Sequence, residues 1–129
     1  MNDNSKILYW LKTAESDLST AEKLFLSGDY HWCLFIGHLV IEKMLKALFT
    51  QNISDTPPRI HDLVKLAKLA KIDLNAPRIT IYNRINDFNI EARYPDEKLS
   101  FYKIATKDFA ENNLKKIKEE FQWLKSQII

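Results

Sequence analysis

A chain of 129 residues with 46% hydrophobic and 28% charged residues holds enough apolar surface for one core, predicts a single domain over 1–129, and excludes an unfolded polar chain. Nineteen basic residues against seventeen acidic ones leave a net charge of +2, so composition announces no strongly basic nucleic-acid surface. One cysteine, Cys33, excludes an internal disulfide and a thiol pair for a metal.

Two glycines and four prolines are too few turn formers for a many-stranded β-fold and favour a few long helices. The first is predicted by Ile7, Leu8, Leu11, Ala14, Leu18, Ala21, Leu24 and Phe25 at three-and-four spacing, with Asn4 or Ser5 as cap and Ser27-Gly28-Asp29 as its end. The second, Tyr30 to about Gln51, is apolar around more of its circumference and therefore central. A loop follows from Asn52 to Pro58, where Pro57 and Pro58 forbid a helix.

A short third helix is expected near His61 to Lys71, with Lys65, Lys68 and Lys71 on one face. The fourth begins at Asn75-Ala76-Pro77 and stops by Tyr94, because Pro95 pushes the residue before it out of the α region. The last runs from Ser100 to Ser126, with Phe101, Ile104, Ala105, Phe109, Leu114, Ile117, Phe121 and Leu124 facing inward. The predicted fold is all-α, about five helices in an antiparallel up-and-down bundle.

The opening residues lack the basic-then-apolar layout of a secretory signal, and no run approaches the ~20 apolar residues of a membrane span, so a cytoplasmic protein without a membrane partner is expected. Cys33, between Trp32 and Leu34, reads as a packed thiol. Trp10, Trp32 and Trp123 fall at core positions of helices, where packing outweighs base stacking. His31, His38 and Glu42 share one helical face and can be read as metal ligands or, more plainly, as a polar seam satisfied by neighbours; Glu42 also has Lys46 at i+4 for an ion pair. The seam is the preferred reading, so no metal and no cofactor enter the account.

Three stretches carry a family resemblance when taken together. They are Trp10 with Ala14-Glu15-Ser16-Asp17-Leu18, Ala21 and Gly28-Asp29-Tyr30; Ile41-Glu42-Lys43-Met44-Leu45-Lys46-Ala47-Leu48; and His61-Asp62-Leu63 with Ala92-Arg93-Tyr94-Pro95-Asp96. In this order the chain resembles the HEPN family of prokaryotic helical proteins over nearly its whole length. The resemblance implies a bundle of about five helices, often a homodimer, frequently encoded beside a minimal nucleotidyltransferase in toxin–antitoxin pairs. It also implies contact with nucleotide or RNA, since many members are ribonucleases that use an Arg followed, after four to six residues, by a His.

That pattern is incomplete here. The histidines are His31, His38 and His61, whereas Lys98, Leu99 and Ser100 occupy the required positions after Arg93, and Val64, Lys65 and Leu66 occupy those after Arg59. The expected role is therefore a partner subunit or a nucleotide- or RNA-binding module, with Arg93, Tyr94, Arg59, Lys65 and Lys68 as candidate ligand-binding residues. The alternative is a metal-independent endoribonuclease with a rearranged site using His61 and Arg93, with Asp96 beside them. Arg93 has a plainer reading as part of a helix stop, and Asp62 as the cap of the third helix rather than a partner for His61.

Overall fold

In a computed structural model that describes residues 2–94, 96 and 99–129, Asn2 opens helix α1 (Asp3–Leu26) by accepting from the Ser5 N–H at 2.8 Å, ahead of the Asn4 or Ser5 cap expected from sequence. A tight turn at Ser27-Gly28-Asp29, with Gly28 at φ +83°, reverses the chain into α2 (Tyr30–Ile53). Contacts Asp17–Lys43 at 2.6 Å and Lys46 over the Trp10 ring at 5.5 Å fix α1 and α2 as antiparallel. The central character of α2 holds: Leu34, Val40, Ile41, Met44, Leu45 and Leu48 are all fully buried.

The segment from Ser54 to Asp62 runs back along α2, and α3 (Leu63–Leu69) then follows α2 in the same direction. Two bonds show this: His38 near the middle of α2 meets the His61 carbonyl at 2.8 Å, and Asn52 near its end meets the Ala70 carbonyl at 2.9 Å. α3 is shorter than expected because Asp62 caps it and Lys71 takes φ +60°. α4 (Ala76–Arg93) starts from the Asn75 cap and ends at Tyr94; Pro95, which prompts that stop in the sequence, lies outside the described residues.

The last helix departs further from expectation, and Ile104, expected to face inward, is 53% exposed. The single last helix expected from sequence is two, α5 (Ser100–Ile104) and α6 (Lys107–Ser126), because the Thr106 hydroxyl caps α6 by accepting from Phe109 N–H at 3.3 Å. The apolar rhythm continues across this break, with Phe101 and Ala105 buried before it and Ala110 after it, which hides it from a periodicity argument. α6 lies parallel to α2, where Gly37 permits close approach: a Cβ there would stand 2.5 Å from Ile117 Cδ1. α4 runs antiparallel to both, with Arg78 beside Glu120 and Phe88 beside Phe109.

Cys33 is fully buried beneath α1 and α6, and burial pushes its thiol up to about 11, opposed by Lys118; it is a packed side chain, as expected. No helix among the described residues is long and apolar enough to cross a membrane.

Candidate functional site

Five polar side chains from three elements, His38, Glu42 and Lys46 of α2, His61 of the returning segment and Asn89 of α4, meet where that segment crosses α2 and α4. Glu42 is 5% exposed, and its two oxygens accept from donors on different elements. Oε1 accepts from His61 Nδ1 at 2.7 Å, and Oε2 accepts from Lys46 Nζ at 3.1 Å, the i,i+4 pair anticipated on α2. A buried carboxylate needs such partners, since desolvation without them costs several kcal/mol.

His38 is fully buried one turn before Glu42. A backbone carbonyl only accepts, so the 2.8 Å contact to His61 O makes His38 Nε2 the protonated nitrogen. Burial holds the imidazole below its ordinary 6.5, against the opposing effects of that bond and the Glu42 charge, and keeps it neutral. Nδ1 is then a lone pair, which requires Asn89 to present its NH2 group across their 3.3 Å contact. His38 therefore ties α2 to α4 and to the His61 backbone.

The result is a half-open imidazole. The His61 side chain is 54% exposed, its Nδ1–H is engaged by Glu42, and Nε2 is left for a ligand. It borders a cleft of about 170 Å³ with Asp62, Asn86, Asn89 and Ile90. Asp62 is the cap of α3, in line with its plainer reading: its Oδ1 accepts from Val64 N, Lys65 N and Asn86 Nδ2, while Asn86 Oδ1 accepts from Leu63 N. Asn86 and Asn89 escape a sequence reading because lone asparagines on an amphipathic helix look like surface; their three-residue spacing, continued by Arg93 at i+4 from Asn89, is the signal that places them on one face.

Of the candidate residues, the structure brings His61 to this cleft and sets Arg93 one turn beyond Asn89 on the same face of α4, exposed, its guanidinium 5.8 Å from the Tyr94 ring. Tyr94 is 70% exposed and borders a neighbouring cleft with Asp96 and Ser100, where Asp96 accepts from Ser100 N–H at 2.8 Å and from its hydroxyl at 2.7 Å. Arg59, Lys65 and Lys68 are exposed but do not line the His61 cleft; Lys68 and Lys71 border a separate groove toward Ile72 and Ile79. The His31, His38, Glu42 seam divides: His31 joins an aromatic cluster with Trp32 and Tyr102, while His38 and Glu42 form the buried network. Trp32 is 43% exposed, so its packing is partial, whereas Trp123 lies under the Arg78 guanidinium at 3.7 Å. Among the described residues no three side chains are grouped to hold a metal ion.

The fold and the sequence agree on a class. The HEPN domain profile matches residues 7–127, and the chain belongs to the HEPN domain family. No curated protein matches it. Two solved structures share the fold: TT1696 from Thermus thermophilus, with TM-score 0.81 and 19% identity over 99% of this chain and 100% of that one, and ST0689, an archaeal HEPN homologue, with TM-score 0.76 and 24% identity over 95% and 98%.

Proposed function

We propose that this HEPN domain, as a homodimer, is a nucleotide- or RNA-binding module or the partner subunit of a minimal nucleotidyltransferase, without the usual Arg-to-His cleavage pair; the site geometry favours the binding module. The observation that carries the reading is the α4 face on which exposed Arg93 follows Asn86 and Asn89 beside the Glu42-held His61. Arg93 supplies the planar fork that suits a phosphate, and the cleft supplies polar atoms within a turn of it. Anisotropy of a labelled single-stranded RNA measures this directly. Arg93→Ala is expected to weaken binding evenly across sequences and to lower the salt slope by about 1. Unchanged affinity in that variant contradicts the reading.

The 2.7 Å bond between Glu42 and His61 favours a second reading, a metal-independent ribonuclease in which His61 Nε2 moves protons and Arg93 holds phosphate. Inducible expression then arrests growth, and His61→Ala relieves the arrest; growth unaffected by the wild-type chain contradicts it.

A further inference from the structure

The groove between the end of α3 and the start of α4 combines an apolar lining with unanswered positive charge. Val64, Ile72, Leu74 and Ile79 supply the lining, and Lys68 and Lys71 border it, with Lys65 one turn back on the same face of α3. Residues 63–82 hold these three lysines and Arg78 against one acid, Asp73, and Arg78 is already paired with Glu120. Among the described residues none of the three lysines is in an ion pair, not even with Asp73, which shares the groove.

Lys71 adds an observation of a different kind. α3 closes with the Ile72 N–H on the Ala67 carbonyl at 2.9 Å and the Lys71 N–H on the Lys68 carbonyl at 3.1 Å, which puts Lys71 at φ +60°. Glycine is the ordinary residue at such a helix end, because a Cβ is crowded there; a lysine is strained. A cation near a helix C-terminus suits its dipole, but Lys68 in the last turn already does that without a left-handed backbone. The fold therefore keeps a charge at the groove where glycine would sit more easily.

Charge and lining together specify the occupant. Unpaired cations attract an anion, but a phosphate chain would leave the apolar lining in water and meet the Asp73 charge. The volume, about 220 Å³, falls below the ~300–1,000 Å³ of pockets that enclose a whole small molecule, so it suits a side chain. We propose that this groove docks an acidic segment of a protein partner, with one apolar side chain against Val64, Ile72, Leu74 and Ile79 and carboxylates on Lys68 and Lys71. The surface lies apart from the His61 cleft, and the proposal goes beyond the nucleotide-binding reading without resting on it.

Fluorescence anisotropy on the full chain tests this with a panel of short labelled peptides that vary the spacing of glutamates around one leucine. The wild-type protein is expected to bind the best of these, to bind it about tenfold more weakly when the leucine is alanine, and to reject it when the glutamates are lysines. Lys68→Glu with Lys71→Glu is expected to reverse the preference, taking the lysine peptide and releasing the glutamate one, a swap that a merely structural role for the lysines does not produce. Lys71→Gly is expected to weaken the glutamate peptide about threefold while the thermal midpoint is held or raised, since glycine relaxes at this backbone position. Saturating single-stranded RNA is expected to leave peptide affinity unchanged. RNA that displaces the peptide assigns the lysines to phosphates and overturns the proposal, as does equal binding of the leucine and alanine peptides, or no binding of any glutamate peptide at about 1 mM. Peptide binding by a chain that takes no RNA sinks the nucleotide reading and leaves this one standing.

Discussion

Two buried glutamates organise this bundle, and they do different things with similar burial. Glu120 on α6, 6% exposed, accepts from Arg78 Nε at 2.8 Å and from the Tyr82 hydroxyl at 3.0 Å through one oxygen, and the Arg78 guanidinium in turn sits over the Trp123 ring at 3.7 Å. Every member of that network packs against α4 or α6, and burial followed by the Glu120 charge drives the Tyr82 hydroxyl far above its ordinary range, so it stays a donor. Glu42 on α2, 5% exposed, is bonded as fully, but its chain of contacts ends on an imidazole more than half in solvent. The first network locks two helices together; the second presents a group. A buried charge thus marks a candidate site only where its network opens outward.

The contrast should appear first in stability. Glu120→Ala strands a buried tyrosine hydroxyl and a largely covered guanidinium, and is expected to cost about 3–5 kcal/mol in urea denaturation while leaving RNA affinity unchanged. Glu42→Ala is expected to cost less, about 2 kcal/mol, because His61 can turn to water, yet to weaken RNA binding as His61 loses its anchor. Equal losses of affinity in both variants would erase the distinction.

The pH response is expected to come from the Glu42 side. His38 is held neutral in the fold, below the 6.5 of an ordinary histidine, so the unfolded chain binds the extra proton first as pH falls. Its contribution is present above about 6.5 and is lost as pH drops toward the lowered folded value. Thermal midpoints should therefore decline below about 6.5, and His38→Gln, whose amide can still donate to the His61 carbonyl, should flatten that decline. The smallest stability effect is expected at the exposed end: His61→Ala opens the cleft so that water can reach Glu42 Oε1 while Lys46 still holds Oε2, and should cost about 1 kcal/mol by the same denaturation, with loss of ligand binding far out of proportion to it.

The sequence exposes the Glu120-type framework more readily than the Glu42-type site. Helix faces, the Pro57-Pro58 loop and the end of α4 are local signals that propensity and spacing carry. The α5–α6 break at Thr106 is also local, but a single cap residue is masked by the apolar rhythm on both sides of it. Glu42 and His61 are different in kind. They meet only because the segment after Ser54 doubles back along α2 to His38, a path that no spacing between positions 42 and 61 encodes. His61 could be named as a candidate from its chemistry; its partner could not, and Asp62 beside it proved to be the helix cap.

The most direct test is a nitrogen-15 NMR titration of the full chain with GMP. Binding at the His61 cleft and Arg93 shifts the His61 ring nitrogens, the Asn89 side-chain amide and the Arg93 Nε together along one saturating curve, while Arg78 Nε stays fixed. Shifts confined to the Lys68–Lys71 groove, or no shift at His61 at saturating nucleotide, would contradict it.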